Sequence, residues 1–271
     1  MNVVLISDLA GSGKTNLLKK ITKILTSKYP THWISLISLK DHIEILSAQV
    51  NEPFVDFVAK TLKLDAFSKE VLSQKYLQGK AKILFDGFDE ISPSCKENSL
   101  KLMKSFQFFG ENQIFVTTRT HLEHELEKEL NASSHSLKIL EDHEQVVFLV
   151  RLWSKSHSDK SFIEKSANLL MNKIAEVIST SSSVIGLPLI IMGLAEVFKD
   201  KINDQFEAEI ANLDIIKIYK MIVEKSLEVL YAKFPEKTVE NQNKMMGLLQ
   251  THVFFSIVLV FGEDFADDLR L

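Results

Sequence analysis

The chain has 271 residues, with 32 Lys+Arg against 36 Asp+Glu, a formal net charge of −4, 45% hydrophobic residues and 25% charged ones. That balance excludes a disordered tail, and a chain with 9 Gly and 5 Pro is neither collagen-like nor a linker. The single Cys95 excludes a disulfide scaffold and fits a reducing compartment, and the slightly acidic charge argues against a nucleic-acid partner.

Apolar runs at 3–6, 33–39, 82–85, 114–116 and 137–140 are short, rich in Val, Ile, Leu and Phe, and bounded by polar or turn residues. They are read as five buried strands. Between the first two, Leu17, Leu18, Ile21, Ile24 and Leu25 form one helical stripe, and further helical patterns fill 54–77 and 98–109. Such alternation predicts an α/β fold with a mainly parallel sheet and helices on both faces. Beyond residue 141 the pattern changes. Val146, Val147, Leu149, Val150 and Trp153 share a helix face, and helical patterns follow at 162–178, 188–198 and 213–231. The run Thr180-Ser181-Ser182-Ser183 breaks two of these helices, and an acidic stretch at 263–268 reads as solvated surface. The expected division is an α/β core at 1–141 and an all-α helical domain at 142–271. The start reads as no signal peptide, and the apolar run at 253–261 is too short to span a bilayer, so a cytoplasmic location and no membrane partner are expected.

The sharpest motif is Asp8-Leu9-Ala10-Gly11-Ser12-Gly13-Lys14-Thr15, between the first strand and the first helix. This is the setting a phosphate loop requires. Glycines let backbone N–H groups face inward, and the helix N-terminus adds unpaired donors and partial positive charge. Lys14 can reach the β- and γ-phosphates, and the Thr15 hydroxyl can ligate Mg²⁺. The binding candidates are Asp8, Leu9, Ala10, Gly11, Ser12, Gly13, Lys14, Thr15 and Asn16. Asp8 departs from the pattern, which has glycine there. Aspartate tolerates a left-handed backbone, but its carboxylate beside a polyphosphate is unfavourable unless it points away.

Residues 82–91 run from an apolar strand into Asp86, Asp89 and Glu90. A parallel strand presents its C-terminal end to the ligand crevice. Asp86 is the expected metal-side carboxylate, Glu90 the expected water-polarising residue, and Asp89 second to it. Alone, this run also fits a surface acidic turn. The strand at 114–116 leads into Thr117, Thr118 and Arg119. If it lies beside the first strand, these residues project to the same crevice and Arg119 can contact a γ-phosphate. His121 and His124 fit no metalloprotease spacing and read as a charged helix face, Cys95 as an inert loop thiol, and Trp33 and Trp153 as core.

Three motifs in this order resemble the NACHT family of STAND-class P-loop ATPases: Gly11-Ser12-Gly13-Lys14-Thr15, Phe85-Asp86-Gly87-Phe88-Asp89-Glu90 and Val116-Thr117-Thr118-Arg119. Gly186-Leu187-Pro188-Leu189, opening an apolar helix, is similar to that family's Gly-x-Pro motif, and proline suits a first helical turn. The resemblance implies a P-loop NTPase core with a five-stranded sheet, followed by a helical domain and the start of a truncated winged-helix region. It implies ATP or ADP and Mg²⁺ as cofactors, Pro188 against the adenine, and a slowly hydrolysing switch in innate immune or stress sensing. Nucleotide exchange would permit self-oligomerisation and contact with signalling proteins. The alternatives are a nucleotide-stabilised scaffold without turnover, or a P-loop kinase or ATPase of another class. A GTPase is disfavoured by the lack of Asn-Lys-x-Asp.

Overall fold

Five strands, β1 (Val3–Ser7), β2 (Trp33–Ser38), β3 (Ala81–Asp86), β4 (Gln113–Thr118) and β5 (Ser134–His135), form one sheet in the order β2-β3-β4-β1-β5. Every pairing is parallel, with Ser7 opposite Thr118 and Phe85 opposite Val116. The computed structural model describes residues 2–47, 53–106, 110–177 and 188–214, together with 217, 218, 220–222, 224 and 225. The runs at 180–183, 253–261 and 263–268, with Gly186 and Leu187, lie outside the described residues. The chain divides into Met1–Lys138 and Ile139–Leu271.

The strands read as unbroken apolar runs because both faces of the sheet are covered. Val3, Leu5, Ile37, Ile83, Phe85, Ile114 and Val116 belong to the larger core cluster. Residues that alternate with them along the strands, Val4, Ile6, Leu84 and Phe115, face a smaller cluster completed by Leu18 with Leu17, Ile21 and Leu25 of α1 (Lys14–Lys28). The stripe read from the sequence is thus one half of a sheet–helix contact, except for Ile24, which is exposed. The larger cluster is closed by α2 (Ile43–Ser47), α3 (Phe54–Thr61), α4 (Ala66–Leu77), α5 (Pro93–Ser105) and α6 (Glu123–Leu130).

Three expectations are corrected. The helical pattern at 54–77 is two helices, because the chain turns at Lys63, whose φ is +52°, and Asp65 then caps α4 by accepting the Ser68 N–H at 2.7 Å. The helix expected at 98–109 begins earlier, at Pro93, with Ser92 as its N-cap. The fifth strand is only Ser134–His135, and 137–140 carries no strand. Leu137 still packs on the α1 face of the sheet. Its N–H, however, is donated to a side chain, Asp8 Oδ2, at 2.8 Å. Leu137 and Leu140 are only half-buried and Ile139 is exposed, so the run is apolar without either a ladder or full burial.

Asn112 ties the N-terminal edge of the sheet together. It is fully buried, its Oδ1 accepts the Ala81 N–H at 2.8 Å, and its Nδ2 donates to the Tyr76 carbonyl at 3.0 Å. Asn112→Leu removes the acceptor of the Ala81 N–H, while the Tyr76 carbonyl keeps the Gly79 N–H at 3.0 Å, and a loss of about 1–3 kcal/mol is expected in urea unfolding of the variant.

In the second unit α7 (Asp142–Trp153) starts at a capping box formed by Glu141 and Glu144. It is followed by α8 (Lys160–Val177), α9 (Pro188–Phe198) and α10 (Phe206–Ala211). Leu149, Trp153, Ile163, Leu170, Ile174, Ile191, Leu194 and Phe198 form its core. Of the pattern at 213–231, residues 217, 218, 220–222, 224 and 225 are helical, and 226–231 lie outside the described residues. Among the described residues no strand interrupts this unit, and no helix is long and apolar enough to cross a membrane.

Candidate functional site

The sheet brings the three motifs to one edge. β4 lies between β1, which feeds the glycine loop, and β3, which ends in Asp86. Parallel strands put all three C-terminal ends on the same side. The condition set for Thr117, Thr118 and Arg119 is therefore met: β4 pairs directly with β1.

Within the loop, Gly11 and Gly13 have φ of +79° and +98°, where a side chain would be strained. Gly13 is the N-cap of α1, with no side-chain cap, and a Cβ built on it meets nothing within 4 Å. No acidic residue occupies the first turn of α1. The N-terminus of α1 thus keeps unpaired donors facing open space, the arrangement that receives an anion. Ser12 is buried and its Oγ has no hydrogen-bond partner among the described residues, and the same holds for Thr118 Oγ1. Leu9, Ala10, Thr15 and Asn16 are exposed along the loop and the start of α1.

Lys14 curls over the loop, its Nζ donating to the carbonyls of Asp8 at 2.8 Å and Leu9 at 2.7 Å. Burial lowers its pKa below the usual lysine value, opposed by the charges of Asp89, Asp8 and Asp86, while Arg119 adds to the lowering. Asp89, Asp86 and Arg119 thus lie near enough to act on the ammonium electrostatically. Asp86 Oδ1 accepts the Thr117 hydroxyl at 2.6 Å, and Thr117 Oγ1 in turn accepts the Gly87 N–H at 3.0 Å. Asp86 Oδ2 has no hydrogen-bond partner among the described residues.

The two remaining carboxylates are each held by a cation. Asp89, with its side chain 6% exposed, pairs with Arg119 Nε at 2.8 Å. Glu90 is 39% exposed and pairs with Lys40 at 2.7 Å. Lys40 sits just past β2, in the turn Leu39–His42. An exposed pair of this kind contributes about 0–1 kcal/mol, so Glu90 is released cheaply, while the sheltered Asp89 is held harder. The residues Thr15, Asp86 and Lys14 fit a Mg–nucleotide by donor type: a hydroxyl, a carboxylate oxygen without a protein partner, and an ammonium.

Sequence reading missed three participants. Lys40 was findable, because the end of every parallel strand faces the crevice. Thr117 was read as projecting there but not as a partner of Asp86. The Leu137 N–H on Asp8 carried no signal. Asp8 itself needs no left-handed backbone, since among described non-glycine residues only Lys63 and Asn131 have positive φ. Pro188 occupies the first turn of α9 in the second unit and is half-buried there. Cys95 lies in the first turn of α5, not in a loop, and is fully buried with Ser47 Oγ 3.3 Å from its Sγ. His121 and His124 are exposed, and no His/Cys/Asp/Glu cluster able to hold a metal occurs among the described residues.

The first unit is thus an α/β fold with a five-stranded parallel sheet whose opening strand runs through a glycine loop into its first helix. No family model matches the chain, and no curated protein matches it. Among solved structures it is similar to one of Drosophila ORC bound to DNA, with a TM-score of 0.44 and 11% identity, over 92% of this chain and 80% of that one. The exclusion of nucleic acid is corrected by that finding, since the similar chain belongs to a DNA-bound structure. Net charge averages over the surface: on α1 alone Lys19, Lys20, Lys23 and Lys28 are exposed, and the helix contains no Asp or Glu.

Proposed function

We propose that this chain is a NACHT-type nucleotide switch that binds ADP or ATP with Mg²⁺ and hydrolyses ATP slowly. The observation that carries the reading is the convergence on one sheet edge of an uncapped α1 N-terminus, Lys14, and the Asp86 carboxylate held by Thr117. Backbone N–H groups of Gly11 to Thr15 cradle the phosphates, Lys14 neutralises them, and Thr15 with Asp86 holds the ion or its water. Glu90, once released from Lys40, orients the attacking water, with Asp89 second. Arg119 reports the γ-phosphate, at the cost of its bond to Asp89. ATP in place of ADP then changes the state of the chain and licenses self-association.

Titration of the full chain with fluorescent ADP and ATP, with and without Mg²⁺, tests this. Saturable binding strengthened by Mg²⁺ is expected, and its absence sinks the reading. Glu90→Gln is expected to keep ATP affinity while hydrolysis falls by about 10² or more, measured by phosphate release. Unchanged turnover removes Glu90 from that role.

A second reading, a nucleotide-stabilised scaffold without turnover, draws support from the pairing of Asp89 with Arg119 and Glu90 with Lys40. Tight nucleotide binding without phosphate release in the unmutated chain would select it.

A further inference from the structure

Asp8 stands where the phosphate-loop pattern has its first glycine. Glycine is required where the backbone is left-handed or where a side chain has no room. Neither holds here. The backbone of Asp8 lies outside the positive-φ region. Its side chain is accommodated with the residue only 8% exposed, and every polar group on it is engaged. The N–H donates to the Thr118 carbonyl at 3.3 Å, and the carbonyl accepts from Lys14 Nζ at 2.8 Å. Oδ1 accepts the Leu9 N–H at 2.6 Å, and Oδ2 accepts the Leu137 N–H at 2.8 Å. One residue therefore joins the end of β4, the loop lysine and the segment that leaves β5. The carboxylate is met by two backbone donors, and the charge of Lys14 acts on it from nearby.

We propose that Asp8 is a positioning residue for the phosphate loop. Its carboxylate pins the root of the loop to the segment after β5 and so fixes the shape in which Gly11, Gly13 and Lys14 meet a phosphate. This rests on the nucleotide-binding reading above. It reverses the expectation from the motif, because restoring the pattern's glycine at this position weakens the site. Asp8→Gly leaves the Leu9 and Leu137 N–H groups without their acceptor and loosens the loop where it begins. Asp8→Asn keeps one acceptor oxygen but turns an amide N–H₂ toward a second donor, so its effect is smaller.

The test compares wild type, Asp8→Gly and Asp8→Asn in the full chain. Mg–ADP affinity is measured by calorimetry, and amide hydrogen exchange is followed at Leu137. Asp8→Gly is expected to weaken Mg–ADP binding about tenfold and to speed Leu137 exchange about tenfold, with Asp8→Asn between it and wild type. Steady-state hydrolysis separates loop positioning from general damage. The KM for ATP is expected to rise with kcat held within about twofold. Equal or tighter Mg–ADP binding by Asp8→Gly overturns the role, as does a fall in kcat with KM unchanged. If Asp8→Gly does not fold, unchanged affinity and unchanged Leu137 exchange in Asp8→Asn overturn it. A wild type that binds no nucleotide defeats the underlying reading, whereas a wild type that binds while Asp8→Gly binds equally defeats the Asp8 role alone.

Discussion

Lys14→Ala is expected to weaken nucleotide binding severely, with affinity for Mg–ADP and Mg–ATP falling by about 10² to 10⁴. The ammonium is the one cation on the loop, and it is half sheltered, so its charge is less screened than that of a surface lysine. Each charge-assisted hydrogen bond to phosphate contributes about 1.5–3 kcal/mol, and two such bonds give the stated range. Without ligand Lys14 bonds only to the Asp8 and Leu9 carbonyls, which water can replace on a partly exposed loop. Little change in unfolding midpoint is therefore expected for the nucleotide-free variant. Lys14→Arg should not restore affinity, because a planar guanidinium does not fit where a compact ammonium curls over the loop. Calorimetric titration of both variants checks this, and unchanged affinity in Lys14→Ala would remove the phosphate site.

The second large effect lies in the helical unit and is one of stability. Trp153 is 1% exposed at the C-terminal end of α7. Its Nε1 donates to the Ala195 carbonyl of α9 at 2.9 Å, and its ring meets Phe206 edge-on with centroids 6.3 Å apart. Trp153→Ala removes the largest core side chain of this unit and leaves the carbonyl without that donor. A loss of about 3–5 kcal/mol is expected, comparable to much of the stability of an ordinary domain. Urea unfolding followed by circular dichroism measures it. Trp153→Phe refills most of the space but not the hydrogen bond, so it should recover the larger part. A loss below about 1 kcal/mol in Trp153→Ala would contradict the packing described.

Local pattern carried the sheet and the motifs into the sequence. β1, β3 and β4 are runs whose burial on two faces forces apolar residues at successive positions, and β2 is apolar enough to be read with them, so 3–6, 33–39, 82–85 and 114–116 were readable without knowing their neighbours. The loop was readable because the phosphate-binding groups are backbone N–H groups and a lysine held close in sequence, and because Gly11 and Gly13 take backbone angles that side chains avoid. Asp86 was readable because a strand that ends in a carboxylate points to a crevice wherever the sheet is parallel.

What the sequence alone determined is therefore the chemistry that sits in short windows: glycine, lysine, carboxylate, and the alternation of strand and helix. The tertiary structure decided which partner each charged group takes. Thr117 holds Asp86 across 31 residues and Leu137 meets Asp8 across 129, and neither separation leaves a local periodicity. Lys40 meets Glu90, and Arg119 meets Asp89, only because β2, β3 and β4 are neighbours in the sheet. The physical reason is the same in each case. A backbone conformation or an apolar face is fixed by adjacent residues, whereas a hydrogen bond between distant segments depends on a strand order that many sequences of equal pattern could arrange otherwise.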